Sequence, residues 1–276
     1  MSHRNEYEII RESGRGGLGV VHQARHPHYD KIVALKEICP SYANSKEYRQ
    51  RFLREIRAEQ QLRHPHLVKT GLDHDEKELF YVMEFVDAPV LADCLDDDYV
   101  FSEQDTIAFG LQLAQALVYM HSKNIIHRDI KPDNAFLIDN KHIKLFDFSL
   151  SLEVGERSLC ERGVFLGTPG YVAPEMIIQA RDPSFADDIY GLGATLFTLC
   201  TGLVPFEDKG RELDCLSAQV NLDPPLANSF NPKLSLEFSQ VINCMRARHE
   251  DDRYTTMAQV ITSLRVLSRR EKEAKV

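Results

Sequence analysis

The sequence predicts an α+β protein with two lobes, in which a small antiparallel sheet carrying one helix is followed by a larger, mainly helical part. Residues 7–85 mostly alternate between apolar and polar positions, the period-two pattern of half-buried strands, and a helical segment interrupts them only at 47–63. After Pro89 the apolar spacing becomes helical, so the boundary falls near 86–90. The predicted parts are an N-terminal lobe, a C-terminal lobe and a polar tail, at 1–86, 87–267 and 268–276.

The elements of the first lobe follow from short apolar runs. Residues 20–24 form a strand that turns at His26-Pro27, and further runs cover 32–35 and 79–83. The segment 47–63 between the last two runs has helical spacing instead. We therefore expect a small sheet with one helix packed on it.

The second lobe begins with a helix whose start is marked by Ser102 and Asp105, which resemble a capping box. The stretch 189–206 is the only long apolar one, but it contains three glycines and follows two aspartates. A spanning helix needs ~20 predominantly apolar residues, so we interpret this stretch as a buried core helix rather than a membrane span. Further helical segments are predicted at 186–201, 235–246 and 255–267.

The composition excludes several classes of protein. With 276 residues, 43% of them hydrophobic and 27% charged, the chain is neither disordered nor of low complexity. Its net charge of −9 disfavours nucleic acid or an anionic membrane as a partner. The 6 cysteines fit no metal-binding spacing, and the first ten residues lack the apolar segment of a secretion signal. We expect reduced thiols and a cytoplasmic location.

A glycine-rich segment, with Gly14, Gly16 and Gly19 in the pattern G-x-G-x-x-G, suggests a site for phosphate groups. Glycines lack the side chains that would keep backbone N–H groups away from phosphate oxygens. Alone the pattern also fits a plain hairpin, or a dinucleotide-binding turn, which requires a helix directly after the loop. Because 20–24 is predicted as a strand, the hairpin fits better than the dinucleotide-binding turn.

Lys36 and Glu55 are a candidate ion pair. Lys36 ends an apolar strand, where an ammonium needs a compensating anion or loses its charge. A helix packed against that strand would bring the Glu55 carboxylate to it. The alternatives are a lysine that extends to solvent at a strand edge and a glutamate on a solvated helix face.

Residues 127–134, which read HRDIKPDN, concentrate polar groups directly after an apolar helix. Asp129 offers a carboxylate for a substrate hydroxyl, Lys131 a nearby ammonium, and Asn134 an amide oxygen for a hard cation. Asp147 follows a strand-like run, so Asn134 and Asp147 form a candidate Mg²⁺ pair. The alternative is a charged surface turn.

Taken together, these motifs resemble the protein kinase family from Tyr7 to about Leu267, in the order glycine loop, VALK, helix glutamate, HRDIKPDN, DF, GTPGY and APE. The intervals between motifs also agree with those of the family. Lys36 and Glu55 are 19 residues apart, and Asp129 and Asp147 are 18 residues apart. The resemblance implies a bilobal protein-kinase-like fold. Lys131 and the run 167–171 are similar to serine/threonine kinases, and 86–93 more loosely resembles the bacterial branch.

The resemblance implies a role for each motif. Lys36, paired to Glu55, would hold the α- and β-phosphates of ATP, and Asp129 would orient the acceptor hydroxyl and accept its proton, with Lys131 balancing charge on the γ-phosphoryl group. Asn134 and Asp147 would hold Mg²⁺, with Mn²⁺ as an alternative. The implied ATP contacts are Gly14, Arg15, Gly16, Gly17, Leu18, Gly19, Val21, Ala34, Lys36, Met83, Glu84, Val86 and Phe136.

Three residues depart from the family pattern. Ser149 replaces the glycine of the DFG triplet, and Glu59 and Thr70 stand where apolar side chains are usual. We expect these polar groups to weaken the docking of the Glu55 helix, with Glu59 either hydrogen-bonded to the Thr70 hydroxyl or exposed to solvent. They keep open a nucleotide-binding pseudokinase or scaffold, and a regulatory partner at that helix.

The resemblance also implies supporting contacts and partners. Glu175 would pair with Arg253, Asp188 would brace the turn at 127–134, and Arg128 would recruit a phosphorylated residue, for which Ser158 is the nearest candidate. The expected partners are ATP and protein substrates with Ser or Thr acceptors, with no nucleic acid and no membrane.

Overall fold

A five-stranded antiparallel sheet forms the first part of the computed structural model, which describes residues 3–16, 18–26, 28, 31–96, 99–155, 167–178, 181–206 and 212–273. Its strands follow the spatial order first, second, third, fifth, fourth, so the third strand is central. Helix α1 connects the third and fourth strands, spans Lys46–Gln61, and confirms the helix predicted at 47–63. The strands are β1 (Glu8–Arg15), β2 (Gly19–Arg25), β3 (Ile32–Ile38), β4 (Asp73–Asp75) and β5 (Phe80–Glu84).

The two faces of this sheet bury different side chains because strand residues alternate. On one face, Leu35 and Phe80 pack with Tyr7 in a small apolar cluster. On the other face, Tyr81 packs with Phe52 of helix α1. The period-two pattern therefore correctly predicted the sheet, and it sends Lys36, one residue after Leu35, to the face that α1 covers.

The second part is mainly helical, as expected. Its longest elements bury one continuous apolar cluster that includes Leu117, Leu196 and Leu264. The helices are α2 (Glu103–Ser122), α3 (Pro174–Ile177), α4 (Phe185–Thr201), α5 (Glu212–Asn221), α6 (Leu236–Met245) and α7 (Met257–Glu273). Two antiparallel pairs of short strands lie between α2 and α3, namely β6 (Ile125–Ile126) with β9 (Leu152–Glu153) and β7 (Ala135–Ile138) with β8 (His142–Leu145).

Side-chain caps and one glycine set the helix ends. The Ser102 hydroxyl accepts a hydrogen bond from the Asp105 backbone N–H at the start of α2, as predicted. Helix α4 ends at Thr201 although the apolar stretch continues to 206, because Gly202 has a left-handed backbone with φ of 73°. No described helix is long and apolar enough to cross a membrane.

Helix α4 lies so close to α6 that only glycine fits at position 193. A Cβ atom there would lie 2.6 Å from Met245 Cβ and 2.9 Å from Arg246 Cγ, atoms that are fixed to or next to the backbone of the facing helix. Alanine gains about 1 kcal/mol of helix propensity over glycine, but overpacking costs about 1–3 kcal/mol. The close approach of α4 to α6 therefore outweighs the higher helix propensity of alanine at position 193.

We predict that Gly193→Ala lowers the free energy of unfolding by up to about 2 kcal/mol, the balance of those two effects. Gly110→Ala in α2 is the matched control, because its Cβ would meet only the terminal methyl groups of Leu196 and Leu264 at 3.0 Å or more. Those side chains can rotate, so we expect a smaller change. Urea unfolding of both variants measures the difference, and equal effects would contradict the close-approach explanation.

Candidate active site

The glycine-rich segment forms the turn between β1 and β2. The Gly16 N–H donates to the Gly19 carbonyl oxygen at 2.9 Å, and β2 follows at once, so the dinucleotide-binding alternative, which needs a helix there, is wrong. A Cβ atom on Gly19 would lie 2.7 Å from the Glu37 carbonyl oxygen, which explains a glycine at this position. Leu18 is buried and Arg15 exposed, while Gly17 lies outside the described residues.

Lys36 and Glu55 form a buried ion pair. The Lys36 Nζ donates to Glu55 Oε1 at 2.5 Å and to Asp147 Oδ1 at 3.2 Å. Phe52 and Ile56 of α1 pack on the sheet face, and this packing turns Glu55 toward β3. The two alternatives, a lysine extended to solvent and a solvated glutamate, are therefore wrong.

Charge compensation keeps Lys36 and Asp147 ionised. Burial opposes the ammonium form of Lys36, but the carboxylates of Asp147 and Glu55 outweigh it and raise the pKa of Lys36. Burial likewise opposes ionisation of Asp147, yet the Lys36 ammonium lowers the pKa of Asp147 to about 2. Asp147 is thus an anion at neutral pH, which suits a carboxylate ligand for a cation.

Asp129, Lys131 and Thr168 form one hydrogen-bonded group. The Thr168 hydroxyl donates to Asp129 Oδ1 at 3.0 Å and accepts from Lys131 Nζ at 2.8 Å, and Lys131 Nζ is also 3.3 Å from Asp129 Oδ2. Sequence reasoning did not single out Thr168 as a site residue. Its place in the GTPGY run was the available signal.

Asn134 and Asp147 have the oxygen donors that a hard cation needs. The Asn134 Nδ2 donates to both Asp129 Oδ2 and the Asp129 carbonyl oxygen at 2.8 Å, which leaves the Asn134 amide oxygen as the acceptor end. One amide oxygen and one carboxylate suit Mg²⁺, which is commonly bound by one or two carboxylates together with substrate phosphates. Among the described residues no cluster of three His, Cys, Asp or Glu side chains offers another metal site.

Ser149 supports Asp147 rather than disturbing it. The Ser149 N–H contacts Asp147 Oδ1 at 3.4 Å. A hydrogen bond from the Ser149 side chain also lowers the pKa of Asp147. The backbone of Asp147 has a positive φ of 63°, whereas that of Ser149 does not. A serine therefore fits at this position without left-handed strain.

Six residues expected around a nucleotide base lie on strands β2, β3, β5 and β7 or just after β5. Ala34 on β3 is paired with Met83 on β5, and Val21 on β2 is paired with Lys36. Phe136 on β7 stacks on Phe146 with ring centroids 4.3 Å apart. The remaining two, Glu84 and Val86, are half-buried at the end of β5 and just beyond it.

The Asp188 side chain of helix α4 holds the turn at 127–134 through hydrogen bonds from the backbone of that turn. Its carboxylate accepts from the N–H groups of His127 at 3.0 Å and Arg128 at 2.8 Å, and lies 2.8 Å from His121 Nε2. Burial opposes its ionisation, but the His121 hydrogen bond outweighs it and lowers the pKa of Asp188. Arg128, which has a positive φ of 69°, donates from Nε to the Leu150 carbonyl oxygen at 2.6 Å.

The expected Glu175 and Arg253 pair is present. Arg253 donates to both carboxylate oxygens of Glu175, at 2.6 and 2.8 Å, and Arg181 adds a third contact at 2.8 Å. Such a bidentate contact fixes the orientation of both groups. It anchors α3 to the loop before α7.

A comparison with known families decides the classification. The family model described as "Protein kinase domain" matches residues 7–264. The chain belongs to the protein kinase family. Curated relatives of the chain are named serine/threonine-protein kinases.

Two bacterial relatives of this kinase domain are longer than the chain. It is 30% identical over 264 residues to the probable serine/threonine-protein kinase PknB of Lactococcus lactis, which covers 94% of this chain and 42% of that protein. It is 32% identical over 257 residues to PknJ of Mycobacterium tuberculosis, with 91% and 43% covered. The chain thus spans about two fifths of the length of these two relatives.

A solved structure agrees with the kinase fold. The crystal structure of the Mycobacterium tuberculosis PknI kinase domain aligns with a TM-score of 0.71 at 25% identity and covers 94% of both chains. The predicted bilobal architecture, with an antiparallel sheet and a mainly helical lobe, is confirmed.

Glu59 and Thr70, the two polar departures in the N-terminal lobe, are hydrogen-bonded, but not through the Glu59 carboxylate as expected. Glu59 is buried, so the interpretation of an exposed side chain is wrong. The Thr70 hydroxyl donates to the backbone carbonyl oxygen of Glu59 at 2.7 Å and not to its carboxylate, because Thr70 faces the end of the helix. Thr70 also precedes β4 instead of lying in it. Ser158 lies outside the described residues.

We predict that Asp188→Asn lowers the free energy of unfolding by about 2–4 kcal/mol at pH 7, because it weakens charge-assisted hydrogen bonds to a buried carboxylate. The Asp188 pKa is lowered by folding, so its contribution is complete above the ordinary value of 3.8 and is lost as the pH falls below it. The difference between wild type and variant should therefore shrink toward pH 3. Urea unfolding across pH measures it, with the exposed Asp182→Asn as control, and a pH-independent difference would contradict the assignment.

Proposed function

We propose that this chain is an ATP-dependent serine/threonine protein kinase that transfers the γ-phosphoryl group of ATP to Ser or Thr hydroxyls of protein substrates. The observation that carries the proposal is the buried contact of Lys36 with both Glu55 and Asp147, at 2.5 and 3.2 Å. It brings together a phosphate-binding cation and a metal-binding anion from opposite sides of one site. Phosphoryl transfer depends mainly on such positioning and charge compensation.

The nucleotide would be held by the first lobe. In the proposed arrangement the Lys36 ammonium contacts the α- and β-phosphates, and Glu55 fixes its direction. The backbone of the turn at 14–19 covers the triphosphate, since its glycines allow close approach. The adenine lies between Val21 and Ala34 on one side and Phe136 on the other, beside the segment 83–86.

The acceptor would be activated by the second lobe. Asp129 orients the acceptor hydroxyl and takes its proton, and Lys131 balances the charge that develops on the transferred group. Thr168 contacts both side chains and so sets the distance between them. The protein substrates themselves are recognised outside this group.

A divalent cation completes the proposed site. Asn134 and Asp147 would hold it, and the bound cation would neutralise negative charge on the phosphate groups. Mg²⁺ fits this oxygen donor pair, and Mn²⁺ is an alternative. Because Asn134 also donates to Asp129, cation binding and the orientation of Asp129 are linked through one side chain.

A nucleotide-binding pseudokinase or scaffold is the less well supported alternative. It would not require Asp129 to be held by both Asn134 and Thr168. The proposal further includes a cytoplasmic location, since the cysteine spacing predicts thiols, and a regulatory partner that docks on α1. Phosphorylation of Ser or Thr in a mixture of protein substrates by the purified chain, with ATP and Mg²⁺, tests the activity directly.

We predict that Asp129→Asn and Asp147→Asn are nearly inactive, because one loses the proton acceptor and the other a cation ligand. Each ~1.4 kcal/mol of lost transition-state stabilisation is tenfold in rate, and these losses amount to several kcal/mol. Turnover at saturating ATP and Mg²⁺ is the measurement. Retention of more than about a tenth of wild-type turnover, equal to a loss below ~1.4 kcal/mol, would show that the roles are assigned wrongly.

We predict that Thr168→Val lowers kcat by about 10- to 100-fold, the rate equivalent of losing hydrogen bonds to two charged groups. Thr168→Ser keeps the hydroxyl and is the matched control, with an expected loss of less than about threefold, under 1 kcal/mol. Steady-state kinetics with a fixed peptide substrate separates the two. Equal rates for the valine and serine variants would mean that the hydroxyl does not position Asp129.

A further inference from the structure

Two carboxylate oxygens inside the N-terminal lobe are buried without a hydrogen-bond partner. They are Glu55 Oε2 and Glu59 Oε2, and both residues lie on α1 one helical turn apart. Side chains four residues apart on a helix are neighbours. A buried carboxylate oxygen without a donor is costly, so this pair requires an explanation.

The other oxygen of Glu55 is held from two adjacent strands. Glu55 Oε1 accepts from Lys36 Nζ at 2.5 Å and from the Tyr81 hydroxyl at 2.9 Å. Lys36 and Tyr81 are directly opposite each other in the pairing of β3 with β5, so both side chains point to the same face. Tyr81 was not singled out from the sequence.

The charges around Glu59 do not balance if every group is ionised. Four titratable side chains face it, and the only cation among them is Lys36. They are Glu55 from α1, Lys36 from β3, Tyr81 from β5 and Asp147 from the segment after β8. Thr70 and Arg63 donate to the Glu59 backbone carbonyl oxygen instead, at 2.7 and 3.2 Å. Glu55, Glu59 and Lys36 are all buried while Asp147 is partly exposed, so two ionised glutamates would leave a net negative charge out of contact with water beside a single ammonium.

A single proton resolves both problems. When two carboxylates share a buried site, one of them retains its proton. A protonated carboxyl group is a hydrogen-bond donor, which is what the second oxygen of Glu55 lacks. Lys36 contacts Glu55 directly, so Glu55 is the member of the pair that stays ionised.

We propose that Glu59 and Tyr81 are positioning residues for the Lys36–Glu55 pair, in which Glu59 as a neutral acid donates to the free oxygen of Glu55 while Tyr81 donates to the other. The inference deepens the proposed kinase function and rests on it. It reverses the expectation from the sequence, because the polar residue at 59 then supports the docked helix instead of weakening it. Glu55 would be held on both oxygens, with Lys36 aimed at the phosphates.

The electrostatics of the site agree with this assignment. Burial raises the pKa of Glu59 well above its usual range, and the charge on Glu55 raises it further, while Lys36 and Tyr81 act in the opposite direction. A helix that undocks would expose Glu59 to water and restore its ordinary acidity. Docking therefore weakens as the pH rises from the ordinary glutamate value of 4.5 toward the raised one.

Substitutions at position 59 test whether the side chain acts as a hydrogen-bond donor or only fills space. Glu59→Gln keeps an N–H donor of the same shape, so at pH 7 its kcat/KM for ATP should stay within about threefold of wild type. Glu59→Leu fills the space without a donor, and Tyr81→Phe removes only a hydroxyl, so each should lose about tenfold in kcat/KM, the equivalent of one hydrogen bond to a charged group. Equal values for the glutamine and leucine variants would overturn the proposal.

A tyrosine on the opposite face of the same sheet is the matched control. The Tyr7 hydroxyl donates to Asp73 Oδ2 at 2.7 Å, and its ring packs away from α1. Tyr7→Phe makes the same chemical change without touching Glu55, so kcat/KM for ATP should not change. A loss equal to that of Tyr81→Phe would show a general effect on the sheet and overturn the positioning role.

The pH dependence of kcat/KM distinguishes a titrating group at position 59 from a side chain that acts only by packing. The ratio of wild-type kcat/KM to that of Glu59→Gln should fall as the pH rises, because only the wild type can ionise at position 59. Titrations of other groups occur in both proteins and cancel in the ratio. A ratio that is constant with pH would refute the neutral acid.

Infrared spectroscopy tests the proton without any activity. The nucleotide-free wild type at pH 7 should show a carboxylic acid C=O stretching band that is missing from Glu59→Gln, and identical spectra would overturn the proposal. Should the wild type phosphorylate no substrate, the proposed function fails, while the band and the ATP affinity of the variants still decide the role of Glu59.

Discussion

A lysine ammonium removed from water must be surrounded by carboxylates or give up its proton, and Lys36 imposes this constraint on the whole site. It is met by Glu55 from a helix and by Asp147 from the segment that follows β8. The apolar contacts of Phe52 and Ile56 bring α1 to the sheet, but they are not directional. The ion pair is directional, and it determines how far α1 advances and which way Glu55 points.

Other buried charged side chains among the described residues also need compensating partners, and hydrogen bonds of different kinds supply them. Asp188 is satisfied by backbone N–H groups and His121, and Arg253 by the bidentate contact with Glu175. Arg246 is the exception, since its guanidinium lies 4.1 Å from the centroid of the Phe197 ring and donates only to the Pro225 carbonyl oxygen. Burial there lowers the pKa of Arg246 to about 10, which leaves it charged at neutral pH.

Local patterns predicted the elements of this fold, and motif intervals predicted most of the site. The period-two runs predicted β3 and β5, and the spacing of 19 residues between Lys36 and Glu55 corresponds to the end of one strand, a connection and more than half of a helix. What local patterns cannot show is which residues face each other across strands. Tyr81 is 45 residues from Lys36 in sequence and directly opposite it in the sheet, since 81 − 36 = 45. The same limit explains why Thr168, which is 39 residues from Asp129, was missed.

Glu59 shows why a departure from an apolar pattern must be judged with its neighbours. In isolation a carboxyl group at that position is a defect, because an ionised one costs several kcal/mol to bury. Beside Glu55 it is a source of one proton for a buried carboxylate oxygen that has no donor from the surrounding side chains or backbone. Leucine would suit the apolar surroundings of α1 but would leave that oxygen unsatisfied, and phenylalanine at 81 would leave the first oxygen with Lys36 as its one remaining donor. Residues 55, 59 and 81 therefore depend on one another, so the polar residue at 59 is consistent with the fold only because Tyr81 and Lys36 share the site.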